Sequence, residues 1–73
     1  LLLSWKSIEH AEYNIYVKTS SDKDWKKINS KPQKSSFKKL KKPGKAGKYL
    51  FMVTYILNNQ EYPISKEVIF NVK

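Results

Sequence analysis

Apolar and polar residues alternate along several short stretches of the chain, which is the pattern of half-buried β-strands. The clearest stretch is residues 49–55, in which an aromatic or β-branched side chain occupies every second position. Residues 13–19 alternate in the same way, with aromatic and β-branched residues dominating. Further strands are predicted at residues 1–6, 25–29, 37–40 and 68–72, and residues 58–63 are predicted to form a turn or a long hairpin loop.

Polar and turn-forming segments separate these six predicted strands at a spacing of roughly 8–12 residues. This spacing predicts an all-β protein, a β-sandwich of about six to seven short antiparallel strands. No segment has the length and period of a stable helix. The period-2 pattern and the resemblance described below together give a predicted core of Leu3, Trp5, Tyr13, Ile15, Val17, Ile28, Leu40, Tyr49, Phe51, Val53, Val68 and Phe70.

The length of 73 residues limits the chain to one domain, because two domains would each be too small to stabilise a core without disulfides or metals. So short a chain has little room for both a scaffold and a buried catalytic pocket, and we do not expect this domain to be an enzyme. The sequence contains no cysteine, which excludes a disulfide framework and a thiolate zinc site. No apolar run approaches the ~18 residues of a membrane-spanning helix.

Few residues are of the types that carry out catalysis or bind metals. His10 is the single histidine, and it is predicted to be a solvated loop residue. Asp22 and Asp24 lie close together in the sequence, but this spacing is more typical of a turn or cap than of a metal site. Gly44 and Gly47 lack the strand–loop–helix context of a phosphate-binding loop. We therefore predict no catalytic residues, no metal site and no cofactor.

The charge is the most unusual property of the sequence. Lysines outnumber acidic residues by 15 to 6, the formal net charge is +9, and arginine is absent. Residues 23–48 hold 11 of the lysines and one acid, so this segment carries a charge of +10. Such asymmetry attracts anionic polymers. The candidate polyanion-binding residues are Lys38, Lys39, Lys41, Lys42, Lys45 and Lys48.

The same lysines are also typical of a solvated surface in which charge guards the exposed edges of strands against aggregation. Teichoic acid, sulfated glycans and acidic protein surfaces are the partners that remain open. Nucleic acid is disfavoured because arginine, whose planar fork reads phosphates and bases, is absent. Phe37 is the single aromatic residue in the most lysine-dense part of the segment, so a base-stacking platform is not evident there.

The order of several short motifs resembles the fibronectin type III domain over nearly the whole chain. The family's Leu-Ser-Trp strand corresponds to residues 3–5, its Tyr-x-hydrophobic-Tyr strand to residues 13–16, and its Trp with an aliphatic residue three positions later to Trp25 and Ile28. Leu40, Gly47 and the Tyr-x-aromatic-x-Val strand of residues 49–53 follow, and then Ser65. The segment between Leu40 and Tyr49 is longer than the family pattern. The family's first strand would precede Leu1.

The resemblance implies an immunoglobulin-like β-sandwich of fibronectin type III topology, with Trp5 between the two sheets. It also implies that Tyr49 is a tyrosine corner, whose hydroxyl bonds back to nearby backbone. Trp25 is expected to cap the sandwich rather than to contact sugar. The missing first strand reflects either a truncation or a degenerate variant of the fold. Without it, the sheet that contains residues 1–5 has an unprotected edge, so the domain is either marginally stable or covered there by another module. Because the sequence starts without Met, the chain is expected to be a fragment of a larger multidomain protein.

Family resemblance further implies a non-catalytic spacer or interaction module of a secreted or cell-surface protein, accessory to a carbohydrate-active enzyme such as a glycoside hydrolase, or to an adhesin. Its expected partners are neighbouring domains of the same polypeptide, and possible further ones are a protein or an anionic polysaccharide. Two alternatives stay open. One is a polyanion-binding module that acts through the lysine-rich face of residues 23–48, and the other is a small nucleic-acid-binding β-barrel, which requires exposed aromatic residues on a basic sheet.

Overall fold

The alternating segments of the sequence form β-strands, as their period of two requires. The computed structural model describes residues 2–41, 44–64 and 68–72, and within them it contains strands and no helix. The seven strands are β1 (Leu2–Ser4), β2 (Glu12–Thr19), β3 (Lys26–Lys27), β4 (Phe37–Lys39), β5 (Gly47–Leu57), β6 (Gln60–Pro63) and β7 (Val68–Val72). The predicted all-β class, with about six to seven short antiparallel strands, is confirmed.

The strands form two antiparallel sheets. The small sheet pairs β1 with β4, and the large sheet has the order β3-β2-β5-β6, with β7 also paired to β5. β6 and β7 lie one after the other along the same edge of β5, because β6 pairs with its residues 54–57 and β7 with its residues 47–51. The long β2–β5 pairing, from Glu12 opposite Ile56 to Thr19 opposite Tyr49, is the centre of the large sheet.

The hydrophobic core lies between the two sheets. Its buried residues are Leu3 from the small sheet, Ala11 from the β1–β2 connection, and Tyr13, Ile15, Phe51 and Val53 from the large sheet. Six more of the predicted core residues are half-buried and pack against this cluster: Trp5, Val17, Ile28, Leu40, Tyr49 and Phe70. The apolar faces that alternation predicted for β2 and β5 therefore pack against the small sheet.

Val68 is the one residue for which the core prediction is wrong, because 48% of its surface is exposed. It lies opposite Phe51 on the inner side of the large sheet. Two strands of the small sheet span only about 10 Å, whereas four strands of the large sheet span about 19 Å. The small sheet is therefore too narrow to cover every inward-facing residue of the large one.

Residues 58–63 were predicted to be a turn or a long hairpin loop, and the structure has a two-residue turn at Asn58 and Asn59 followed by the strand β6. Asn58 and Asn59 both have positive φ, 51° and 64°, which is typical of the type I′ turns that join twisted hairpin strands. The predicted loop contained Pro63, which is rare inside strands. In the structure this proline lies at the end of β6, at an edge of the sheet, where no ladder hydrogen bond is lost.

Tyr13 fixes the connection between the two sheets. Its hydroxyl accepts a hydrogen bond from the Ile8 amide at 2.6 Å and lies 3.2 Å from the Ile8 carbonyl, to which it donates. Its ring meets the Trp5 ring edge-on, with 5.4 Å between the centroids. Within this connection His10 has φ 65°, a value that non-glycine residues adopt mainly in turns.

Tyr49 makes a backward hydrogen bond of the kind that the family resemblance implied for it. Its hydroxyl donates to the Lys45 carbonyl, four residues upstream, at 2.9 Å. The bond holds the end of the β4–β5 connection against the start of β5. Gly47, at the start of β5, has φ 148°, which favours glycine over residues with a side chain.

The buried amide of Asn29 completes the edge of β2 where β3 ends. Its oxygen accepts the Ile15 amide at 2.9 Å, and its nitrogen donates to the carbonyls of Tyr13 at 3.0 Å and Lys31 at 2.7 Å. The same nitrogen lies 3.3 Å from the Asn14 side-chain oxygen. One side chain thus satisfies backbone groups that no neighbouring strand reaches, and it fixes the start of the crossing from the large sheet to the small one.

Within the described ranges, no helix has the length and apolar character needed to span a membrane.

We expect Asn29→Asp to destabilise the domain strongly. The substitution replaces the donating amide nitrogen with a carboxylate oxygen, which then faces two carbonyl oxygens and another side-chain oxygen. We therefore expect the free energy of unfolding to fall by about 3 kcal/mol. A domain of this size has only about 3–5 kcal/mol to lose. Urea unfolding followed by tryptophan fluorescence measures the change.

Asn71→Asp is the matched control, because Asn71 is exposed on β7. It should change the free energy of unfolding by less than about 0.5 kcal/mol. Equal stability of the two variants would contradict the role assigned to the Asn29 amide.

Candidate functional site

The lysines predicted to bind polyanions do not share one surface. Lys38 is half-buried and lies opposite the core residue Leu3, whereas Lys39 projects from the other face of β4. Lys41 and Lys45 are exposed between β4 and β5. Lys48 lies on β5, in the large sheet. Lys42 lies outside the described residues, and the rest of the predicted set is therefore divided between the two sheets and the connection that joins them.

The outer face of the small sheet is partly apolar. Leu2 and Phe37 project from this face and are 60% and 54% exposed. Leu2 lies opposite Lys39, and Phe37 lies opposite Ser4, so the two apolar side chains are diagonal neighbours, about 7 Å apart. An apolar pair on the outer face of a two-stranded sheet is a feature that the lysine count alone did not predict.

The outer face of the large sheet has a more organised chemistry. The register and alternation place five kinds of residue there: the aromatic residues Tyr16 and Trp25, the aliphatic residues Leu50, Met52 and Ile69, the cations Lys18, Lys27 and Lys48, the anions Glu12 and Glu61, and the uncharged polar residues Asn14 and Thr54. The cations lie towards one end of the strands and the anions lie towards the other. We call the aromatic, aliphatic and cationic residues together the lysine-rimmed patch.

Glu61 is fixed by hydrogen bonds from the neighbouring strands. Its Oε2 atom accepts from the Tyr16 hydroxyl at 2.5 Å and from the Thr54 hydroxyl at 2.5 Å. The Asn14 amide donates to the same oxygen at 3.4 Å. Asn14 and Thr54 are buried although they point away from the hydrophobic core. These hydrogen bonds hold the Glu61 carboxylate in one orientation, which the side chain of an exposed glutamate would otherwise lack.

The geometry of this network sets the orientation of Tyr16. Tyr16 is on β2 and Glu61 is on β6, so the phenol must extend across β5 to reach the carboxylate. A ring that lies along the sheet covers the polar side chains beneath it and presents its other surface to solvent. This explains how Asn14 and Thr54 are 3% and 7% exposed on a face that no second sheet covers.

The network also changes the acidity of its members. Hydrogen bonds from Thr54 and Tyr16 hold the pKa of the Glu61 carboxyl below its ordinary value. Partial burial, together with the hydrogen bond and negative charge of Glu61, raises the pKa of the Tyr16 phenol. Glu61 therefore stays ionised and Tyr16 stays protonated at neutral pH.

Trp25 lies on this face, so the prediction that it caps the sandwich core is wrong. The Lys18 ammonium lies 5.1 Å from the centre of the Trp25 ring, within the range of a cation–π interaction. Ile28, three residues later, does pack against the core. Trp25 lies two residues before Lys27, which pairs with Tyr16 on the outer face, so alternation directs the indole to the outer face as well.

The remaining candidate groups occupy turns. The His10 side chain is 83% exposed, as predicted, and its Nε2 lies 3.5 Å from a Glu9 carboxylate oxygen. Asp22 accepts the Thr19 amide at 2.9 Å, which lowers the pKa of its carboxyl and matches the predicted turn role. In the described part of the chain, no three His, Cys, Asp or Glu side chains group as metal ligands.

Glu61 and Thr54 are the residues of this face that sequence analysis missed. Glu61 was assigned to a loop, and the 45-residue separation between Tyr16 and Glu61 carries no local signal. The alternation of β2 did place Asn14, Tyr16 and Lys18 on a common face, and that was the available clue.

The chain matches no protein-family model and no curated protein sequence.

We expect Thr54→Val to raise the pKa of Glu61 towards its ordinary value. The substitution removes the Thr54 hydroxyl, whose hydrogen bond lowers this pKa the most. A depressed pKa stabilises the folded state above the unfolded pKa, and this stabilisation is lost as the pH falls through the folded pKa. The variant should therefore lose less of its stability on acidification than the parent chain. A carbon-13 NMR titration of the Glu61 carboxyl measures the pKa.

Thr19→Val is the matched control, because the Thr19 hydroxyl contacts Ser21 and takes no part in the Glu61 network. Its Glu61 titration curve should coincide with that of the parent chain. Coincidence of the Thr54→Val curve with the parent curve would contradict the network.

Proposed function

We propose that this domain is a non-catalytic β-sandwich module that acts as a spacer and interaction unit in a larger secreted or cell-surface protein. The observation that carries the proposal is the exposed apolar pair Leu2 and Phe37 on the outer face of the small sheet. Contiguous exposed apolar side chains mark sites of contact. A neighbouring module of the same polypeptide that covers this pair would fix the angle between the two modules.

The strand order supports a fibronectin type III topology as part of this proposal. A two-stranded β1–β4 sheet faces a β3-β2-β5 sheet whose outer edge is made by β6 and β7 in succession. The hydroxyl bond of Tyr49 to a backbone carbonyl four residues upstream resembles the tyrosine corner of such sandwiches. Fold alone does not determine function, so an accessory role beside a carbohydrate-active enzyme or an adhesin follows only by analogy.

Polyanion binding is a second proposal, and the charge of +10 on residues 23–48 favours it. Lys39, Lys41 and Lys45 are exposed, so they provide the cations for it on the side of the small sheet and its connection. Binding of this kind depends steeply on salt, since it is driven by the release of counterions. Spacer function has no such salt dependence.

We expect Phe37→Ser to have different effects in two contexts. In the 73-residue chain it should change the free energy of unfolding by less than about 0.5 kcal/mol, because the ring is already 54% exposed. In the longer parent polypeptide it should cost about 1–2 kcal/mol, because the ring is then buried against the neighbouring module. Thermal unfolding of both proteins, with and without the substitution, measures the difference.

Ile69→Ser is the matched control, since Ile69 is similarly exposed, at 53%, but projects from the large sheet. It should have the same small effect in both contexts. Amide hydrogen exchange at β1 adds an independent readout, because a covering module should slow it. Equal effects of Phe37→Ser in both contexts, with equal exchange at β1, would refute packing of a neighbour on this face.

A further inference from the structure

We propose that the lysine-rimmed patch on the outer face of the large sheet binds an acidic, apolar segment of a partner protein. The inference deepens the proposed interaction role and rests on it, but it concerns the opposite face of the molecule from the Leu2–Phe37 pair. The segment would place apolar side chains on the aliphatic centre of the patch and carboxylates against the lysines around it.

The aliphatic centre argues for a protein segment. Ile69 is 53% exposed and lies opposite Leu50 in the β5–β7 pair, and Met52 follows two residues later on the same face. Leu50 and Met52 are half-buried. Aliphatic side chains gain from contact with other apolar groups, whereas a sugar ring covered in hydroxyls loses hydration against them. Methionine also adapts to varied apolar surfaces, as is typical of surfaces that bind peptides.

Charge complementarity argues that the segment is acidic. Lys27 and Lys48 are exposed at the border of the aliphatic centre, and Lys18 is held over the Trp25 ring. The net charge of +9 attracts an acidic partner from a distance and speeds its association. The same charge disfavours a second copy of this chain as the occupant, because two copies repel each other.

The anionic end of the face sets the direction of the partner. Glu61 keeps its charge, because three donors point at its Oε2 atom. A carboxylate of the partner is repelled from this end and attracted to the end with Lys18 and Lys48. A uniform polyanion laid along the strands would meet Glu12 and Glu61 unfavourably, whereas a short segment with a few carboxylates avoids them.

The size of the patch predicts weak and transient binding. Four strands span about 19 Å, and the patch extends along them for about 17 Å, so each partner would bury on the order of 300 Å². Stable interfaces bury about 800 Å² per partner. We therefore expect dissociation constants in the micromolar to millimolar range, with fast exchange.

The test is an amide NMR titration of the 73-residue chain at 20 and 150 mM salt. The probe is a capped nine-residue peptide that alternates Glu and Leu, and the control peptide has Lys at every Glu position. We expect shifts at β2, β5 and β7 with the acidic peptide, weaker binding at the higher salt, and no shifts with the basic peptide.

Two pairs of variants connect the shifts to the patch. Lys27→Glu should weaken binding about fivefold, whereas Lys39→Glu, which changes a lysine on the small sheet, should weaken it less than twofold. Ile69→Ser should weaken binding about tenfold, whereas Leu2→Ser should have no effect. The spectrum of each variant shows whether it is folded, and either pair alone is sufficient for the test.

Several outcomes would overturn the proposal. The first is the absence of shifts at 1 mM acidic peptide, and the second is a set of shifts centred on Lys39, Lys41 and Lys45. The third is an equal loss of peptide affinity in a patch variant and in its control variant on the small sheet. Tighter binding of a heparin hexasaccharide or of a nine-nucleotide single-stranded DNA at the patch would reassign it to a polyanion. Concentration-dependent shifts at the patch without ligand would reassign it to self-association. None of these results changes the expectation for Phe37→Ser, so the two proposals can fail separately.

Discussion

Tyr13 is the residue on which the arrangement of the two sheets depends. It is 1% exposed, and each part of it contacts a different segment of the chain. Its backbone exchanges hydrogen bonds with Gln33, at 2.7 and 2.9 Å, and so ties the β3–β4 connection to β2. Its hydroxyl and ring fix the β1–β2 connection at Ile8 and Trp5. Two of the three connections that cross between the sheets, β1–β2 and β3–β4, are therefore held by this one residue.

The β2–β5 register then determines what each face of the large sheet presents. Tyr13, Ile15 and Val17 face the small sheet because they lie opposite Tyr55, Val53 and Phe51. The same register places Asn14 opposite Thr54 and Tyr16 opposite Met52 on the outer face. A slip of one residue would exchange the two faces and bury the polar network. The core and the candidate binding surface are thus specified by the same set of backbone pairs.

Local patterns predicted the strands well, because strand formation depends on alternation that is visible within a few residues. The segments predicted at 13–19 and 68–72 correspond closely to β2 and β7. What local patterns could not predict depends on how the strands assemble. The side-chain nitrogen of Asn29 is buried among three acceptors, which are the carbonyls of Tyr13 and Lys31 and the Asn14 side-chain oxygen. The exposure of Val68 follows from the width of the opposing sheet.

The candidate surface was harder to predict from the sequence, since it unites four strands. The count of lysines identified a charged segment, but alternation sends Lys38 and Lys39 to opposite faces of β4. Lys18 was outside the predicted segment altogether, yet it lies against Trp25, at the border of the aliphatic centre. Sequence distance was a poor guide here because a sheet brings together residues from its separate strands.

The absence of arginine shapes what such a surface can recognise. Lysine is a flexible point charge and holds no fixed hydrogen-bonding geometry, so the three lysines of the patch select for charge and position rather than for a particular planar group. Tyr16 is instead held in place by its hydrogen bond to Glu61, and Leu50 and Met52 form a half-buried apolar surface beside it. Shape selectivity must therefore come from the apolar centre, while the lysines supply attraction that salt weakens. This division favours a partner that is recognised by its pattern of apolar and acidic residues, and it limits affinity to what a few hundred square ångströms of contact can provide.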